Sequence, residues 1–258
     1  MILTWSIGPT DNNMPESLLM GTLQKVRRHP WWAARAKLSL SLLDKHRVLA
    51  PASVMDVGCG WGVNLEMLEN AGYKATGLDI SRNILELVDN RHRQLIQADL
   101  NQEFPENHET YDALLALDVI EHLDDDQAAV KKMAKLLRPG GIAIISVPAL
   151  PELFSEFDII QGHRRRYVPQ TLQAVFENTG LKVREIFWWG AWMIPILRRM
   201  RLSTSSSGQT RTYKDYLRVP PWPLNVIMKL AFYYEESRAI RGQLRRGTSL
   251  FAVADRQS

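Results

Sequence analysis

Apolar runs bounded by glycine, proline and acids alternate along this chain with stretches in which apolar residues recur every three or four positions. The runs read as strands buried on both faces, and the periodic stretches as amphipathic helices that cover them. The candidate strands are Val54–Val57, Tyr73–Asp79, Gln94–Ala98, Tyr111–Leu117 and Ile142–Val147, then Leu181–Trp188 and Ser249–Ala254. Helices are predicted over Trp31–Arg47, where Ala34, Leu38, Leu42 and Leu43 share a stripe, over Val63–Ala71, after Ser81 as an N-cap, and over Pro169–Thr179. Asp124 to Gln127 is an Asp-x-x-Gln capping pattern that opens a helix ending at Arg138, so the acidic run Asp124–Asp126 reads as a cap and no metal centre is expected. Residues 1–21, with Gly8, Pro9, Pro15 and Gly21, read as a loop without regular structure. Strand–helix alternation of this kind predicts an α/β fold with a doubly wound, seven-stranded, Rossmann-like sheet.

The first strand runs into a turn with glycine at every second position, Gly58, Gly60 and Gly62, with Asp56 before it and Cys59 inside it. Glycine can take φ > 0 and lets a ligand lie against the backbone, as an adenosine-bearing cofactor requires. The dinucleotide pattern G-x-G-x-x-G is not met, because the third glycine comes one place early and Val63 occupies its slot; that disfavours a nicotinamide-dependent oxidoreductase. Asp79, at the end of the second strand, lies 21 positions beyond Gly58, about the ~20 that a βαβ unit imposes. Leu117, Asp118 and Val119 follow the fourth strand, and ligands of open α/β sheets bind beyond the carboxyl ends of strands.

Asp-x-Gly-x-Gly-x-Gly over Asp56–Gly62, Asp79, the segment Gln97-Ala98-Asp99-Leu100, Tyr111–His122 and Leu137–Pro148, in this order, resemble the class I S-adenosylmethionine-dependent methyltransferases. The resemblance implies that Asp79 holds the ribose hydroxyls, that Asp99 and Leu100 meet the adenine, that Ile80 and Ser81 lie at the adenine or ribose edge, and that Leu117, Asp118 and Val119 stand near the sulfonium. It also implies that the last two strands form an antiparallel hairpin at the sheet edge, with the seventh strand antiparallel. Trp31-Trp32-x-x-Arg35 and His163-x-Arg165-Arg166-Tyr167 are similar to a bacterial subgroup whose genes often accompany glycosyltransferases. In that setting Arg35 meets the methionine carboxylate; a solvated surface arginine is the other reading. The fourth-strand motif, Leu-Asp-Val-Ile-Glu-His, lacks the Asn/Asp-Pro-Pro-aromatic and Pro-Cys elements of nucleobase enzymes, so nucleic acid is disfavoured as a partner. It resembles small-molecule enzymes, including quinone O-methyltransferases that work at membranes.

Length and composition sharpen this picture. The 258 residues, 45% hydrophobic, suffice for one domain with an elaborate lid. The expected parts are an N-terminal segment with a cap helix (1–50), the cofactor-binding core (51–188), an aromatic and basic helical insert (189–247) and a final edge strand (248–258). One cysteine and no secretory signal suggest a cytoplasmic setting. The longest apolar stretch, Ile186–Leu197, holds twelve residues and Pro195, short of the ~20 that span a bilayer. From Arg198 onward there are twelve Lys/Arg against four Asp/Glu, while the net charge is only +4. Cations beside the aromatics of Trp222–Tyr234 are what an interfacial helix uses at the inner membrane face, although packing onto the core as a lid fits equally.

The chemistry expected is methyl transfer from S-adenosylmethionine to a small molecule, first of all an oxygen of a sugar or lipid-linked saccharide. A quinone-type O-methyltransferase at the membrane surface and a non-catalytic cofactor-binding partner of a glycosyltransferase are the alternatives. His163, on the long loop after the fifth strand, is the favoured general base, with His122 the second candidate. Arg165, Arg166 and Tyr167 on the same loop are read as binders of an anionic acceptor group.

Overall fold

The computed structural model describes residues 2–6, 22–88, 93–106, 108–207 and 219–257. The chain opens with β1 (Ile2–Thr4), α1 (Leu23–Arg28), α2 (Pro30–Lys45), β2 (Ser53–Val57), α3 (Val63–Asn70), β3 (Lys74–Asp79), α4 (Arg82–Leu85) and β4 (Gln94–Gln97). It continues through β5 (Tyr111–Leu117), α5 (Asp126–Leu136), β6 (Leu137–Pro148), α6 (Glu156–Ile160), α7 (Pro169–Val175), β7 (Leu181–Trp189), α8 (Ile194–Ser207), α9 (Trp222–Ile240) and β8 (Ser249–Arg256).

The strands form one sheet in the order β1-β4-β3-β2-β5-β6-β8-β7. Pairing is parallel from β1 to β6, and β8 runs antiparallel to both β6 and β7. Among the described residues the sheet has eight strands, one more than expected. The extra one, β1, pairs Ile2–Thr4 with Leu95–Gln97; three residues, mostly exposed, carry too little periodicity to be read as a strand. Residues 7–21 of the predicted loop lie outside the described residues.

β5, and β6 from Gly141 onward, are buried because helices cover both faces, which is why they read as apolar runs. Met133, Leu136 and Leu172 from α5 and α7 fill one face, and Leu38, Leu42, Leu65 and Phe232 from α2, α3 and α9 fill the other. The strand order reverses at β2, between β3 and β5, so a crevice opens beyond their carboxyl ends. Two boundaries differ from expectation. α5 is capped by Asp125, which accepts from the Ala128 amide at 2.8 Å, instead of by Asp124. β6 begins at Leu137 and carries Pro139-Gly140-Gly141 inside it, across a register shift against β5.

Between β7 and β8 the chain leaves the sheet. Gly190 (φ 79°) starts a 3-10 turn, Ala191–Met193, whose amides point at the buried Glu235 of α9; its carboxylate accepts from Ala191 at 3.1 Å and from Trp192 at 3.3 Å. Phe232 of α9 stacks on Trp189 (5.0 Å) and meets Trp192 edge-on (4.8 Å), fastening the helix to the end of β7. In the serine-rich stretch Ser203–Gly208, Ser203–Ser207 is helical and Gly208 lies outside the described residues. No helix among the described residues is long and apolar enough to cross a membrane.

Since Phe232 is fully enclosed by aromatic neighbours, Phe232→Ala should lower the unfolding free energy by about 3–5 kcal/mol. A urea titration reads this as a lower midpoint at unchanged slope; a midpoint like wild type would mean that α9 is not held by this contact.

Candidate active site

The crevice beyond β2, β3 and β5 is a cleft of about 890 Å³. Its floor is the glycine turn. The Gly58 and Cys59 amides both donate to the Leu78 carbonyl, at 2.7 and 3.0 Å, which folds the turn down onto the end of β3. Gly58 (φ 69°) lies so close to Val119 that a Cβ there would stand 2.6 Å from the valine methyl. At Gly60 (φ 48°) the space a Cβ would enter is empty to 4 Å, and the residue lines the cleft. The turn is thus pressed against protein on one side and open to a ligand on the other.

Asp79 stands beside this opening. Its carboxylate accepts from the Gly60 amide at 2.8 Å and from the Ser81 amide at 2.9 Å, so two backbone donors fix its orientation at the lip of the cleft. Ile80 and Ser81 line the same wall. Opposite, Asp118 (φ 58°) takes the left-handed backbone, accepts from Ser146 Oγ at 3.2 Å and forms an ion pair with Arg35. Arg35 is buried, lies under the Trp31 ring (4.6 Å to the centroid) and donates to the Leu117 carbonyl at 3.3 Å, while its buried Nε has no hydrogen-bond partner. Arg35 is therefore part of the cleft wall and not a solvated surface residue, and Trp31 and Trp32 line the cleft with it.

Other predicted residues sit off the cleft. Asp56 is enclosed behind the turn, where the Asn64 amide donates to its two oxygens at 3.3 and 3.2 Å; burial pushes its carboxyl up to about 7. Gly62 faces Val88, Asp99 accepts from the Asn101 amide at 2.8 Å, and Leu100 joins the core; none of these lines the cleft. Cys59 lines the cleft, but burial raises its thiol well above the ordinary range, so it stays protonated as a small filler.

The far end of the cleft holds the histidines. His163 Nδ1 lies 3.1 Å from Asp158 Oδ1, and Nε2 lies 3.8 Å from Glu121 Oε1. His122 meets His163 edge to face at 4.8 Å, and its Nδ1 has no hydrogen-bond partner. Burial, with His163 alongside, lowers His122 to about 4. Burial, reinforced by Asp118, pushes Glu121 far above the ordinary carboxylate range, and neither of its oxygens has a hydrogen-bond partner. Glu121, His122 and His163 each offer one ligand-type atom within 4.8 Å of the others, a grouping that no ligand spacing in the sequence announces, since His163 lies 41 positions beyond His122 and meets it only through the fold.

The three residues read as anion binders are engaged elsewhere. Arg165 pairs with Asp126 at 3.1 Å and donates to the Leu123 and Asp124 carbonyls. Arg166 lines the cleft, but its guanidinium grips Asp158 at 2.6 and 2.7 Å and donates to the Ala149 carbonyl. Tyr167 is buried with its hydroxyl donating to Asp126 at 2.7 Å. Trp61, inside the glycine motif, also lines the cleft, as do Asn64, Phe157, Gln161, Thr248 and Ser249, brought there from separate parts of the chain with no motif to announce them.

An open glycine cradle, a carboxylate fixed at its lip and an unpartnered arginine nitrogen fit an adenosine carrying a zwitterionic amino-acid tail. Residues 28–186 match the model of the methyltransferase domain, and the chain belongs to that family, the class I S-adenosylmethionine-dependent methyltransferases; its cofactor is S-adenosylmethionine. Among curated relatives, a ubiquinone biosynthesis O-methyltransferase of Chromobacterium violaceum is 28% identical over 136 residues, 46% of this chain and 57% of that protein. The protein of the same name from Vibrio atlanticus is 31% identical over 185 residues, 64% of this chain and 76% of its own. The chain thus spans little more than half of the first relative's length. A solved SAM-dependent methyltransferase from Archaeoglobus fulgidus shares the fold, with a TM-score of 0.52, 16% identity and coverage of 85% of this chain and 94% of that one.

The histidine environment carries a pH signature. Unfolded His122 takes up its proton near 6.5 and the folded residue near 4, so the unfolded state gains protons first and this group lowers stability as pH falls through that interval, by up to about 3 kcal/mol. His122→Asn should remove that share, measured by urea unfolding at several pH values; an unchanged acid slope would contradict the buried, neutral imidazole.

Proposed function

We propose that the chain transfers a methyl group to the hydroxyl of an apolar, quinone-type acceptor. The observation that carries this reading is the wall of the cleft beyond the turn. Phe157, Met193, Leu197, Met200, Leu224 and Met228 form it, and such side chains accept an aromatic ring with an alkyl tail and offer little to the hydroxyls of a sugar. The names of the relatives from Chromobacterium and Vibrio point the same way. A saccharide acceptor, the first expectation, loses its intended anchors as well, since Arg165 and Arg166 spend their donors on Asp126, Asp158 and backbone carbonyls.

When bound, S-adenosylmethionine supplies an already activated methyl group, so the protein's task is alignment and proton removal. Asp79 and the glycine turn orient the donor side of the cleft, and the tryptophans Trp31 and Trp32 with the insert exclude water from the acceptor side. Asp158 takes the Nδ1 hydrogen of His163, which leaves Nε2 as the lone pair able to accept the proton of a phenolic hydroxyl. Arg166 holds the buried Asp158 carboxylate in place, and so acts through it on His163. Glu121 and His122 complete the polar end of the cleft.

With an alkylated catechol as acceptor, His163→Ala should lower kcat by about 10²–10⁴-fold while leaving S-adenosylhomocysteine affinity within about twofold. Production of S-adenosylhomocysteine from the catechol and not from free saccharides is the expected screen. Turnover on saccharides with none on the catechol would overturn the acceptor assignment, and wild-type kcat in the variant would remove His163 as the base.

A further inference from the structure

Helix α9 is apolar on two sides, and only one of them is covered. Met228, Phe232, Glu235 and Ala239 turn inward to α2, β7 and the 3-10 turn. On the opposite side Trp222, Val226, Ile227, Leu230, Tyr233 and Tyr234 fall on one stripe at helical spacing, with Trp222 80%, Leu230 62%, Tyr233 68% and Tyr234 70% exposed. A contiguous apolar stripe of this kind marks a surface that something covers.

The charges around the stripe say what. Both acids of α9 are withdrawn: Glu235 caps the 3-10 turn, and Glu236 faces Lys37 and Ser41 of α2. Lys229, Arg238, Arg241 and Arg245 are exposed, Lys37 Nζ sits 4.1 Å above the Tyr233 ring, and Arg238 lies 5.9 Å from the Tyr234 ring. Exposed rings flanked by cations over an apolar stripe match the boundary between acyl chains and anionic headgroups, where rings sit at headgroup depth and cations reach the phosphates. A second copy of the chain would bring the same cations face to face across a two-fold axis, which disfavours it. The stripe also borders the cleft: exposed Leu224, one turn before Ile227 on the same helix, and exposed Ile196 of α8 both line it.

We infer that α9 docks on an anionic bilayer surface, lying in its interface with the Trp222–Tyr234 stripe down and the mouth of the cleft at the lipid boundary. The advantage of that posture, direct entry of an acceptor dissolved in lipid, rests on the proposed acceptor; the docking itself does not.

The test uses the full chain without acceptor. Co-sedimentation with phosphatidylglycerol vesicles and with phosphatidylcholine vesicles is compared for wild type, for Ile227→Ser/Leu230→Ser/Tyr234→Ser, and for Lys229→Glu/Arg241→Glu, each checked for wild-type circular dichroism and S-adenosylhomocysteine binding. Wild type should bind the anionic vesicles at least tenfold more tightly than neutral ones, lose binding as salt rises, and weaken tenfold or more in either variant. Equal partition onto both vesicle types, no sedimentation with either, or wild-type binding by both variants would overturn the inference. So would a concentration-dependent dimer in light scattering that the triple variant abolishes, which would give the stripe to a second copy. Because no methyl transfer is measured, failure here leaves the acceptor assignment standing, and an inactive catechol leaves the docking standing.

Discussion

Two amides and one carbonyl set the geometry of this molecule. Gly58 and Cys59 donate to Leu78, which bends the chain leaving β2 over the end of β3 and brings the Gly60 amide to the Asp79 carboxylate. The bend needs left-handed backbone at Gly58 and Gly60, and at Gly58 it also needs the missing Cβ, because Val119 occupies that space. Strand ends from three parts of the chain are thereby joined, and the cleft exists because they are.

The walls of the cleft are assembled from charges that neutralise one another. Arg35 reaches from α2 to Asp118 at the end of β5, and Arg166 holds Asp158 beneath His163. Each pair lies next to a buried acid or imidazole whose ordinary titration has been displaced: Asp56 and Glu121 upward, His122 downward, all chiefly by burial. The result is a donor side with fixed charges and, beyond it, an apolar wall that ends in the histidines and the Arg166–Asp158 pair. That asymmetry suits a cationic methyl donor and the apolar acceptor proposed for it.

The central sheet was legible because burial on both faces leaves unbroken apolar runs, and Tyr111–Leu117 matches β5 at both ends. β1 was not, since three residues at an edge carry no such run, and the start of β6 was hidden because Pro139-Gly140-Gly141 reads as a turn, while the ladder with β5 skips it, pairing Leu137 and then Ile142. In the site, the glycines, Asp79 and Val119 announce themselves by spacing from strand ends. Arg35 with Asp118 does not: the partners are 83 positions apart and meet only through the packing of α2. The HRRRY loop was legible as polar and functional in composition, but which of its cations are consumed internally depends on Asp126 and Asp158, placed by the ends of two helices.

Everything proposed about acceptor and base presupposes that the glycine turn and Asp79 hold S-adenosylmethionine. Calorimetry with S-adenosylhomocysteine, on wild type and on Asp79→Ala, tests this most directly. The account predicts one site per chain in the wild type and loss of measurable binding in a variant that remains folded. Binding of equal strength in both proteins, or none to the folded wild type, would contradict it.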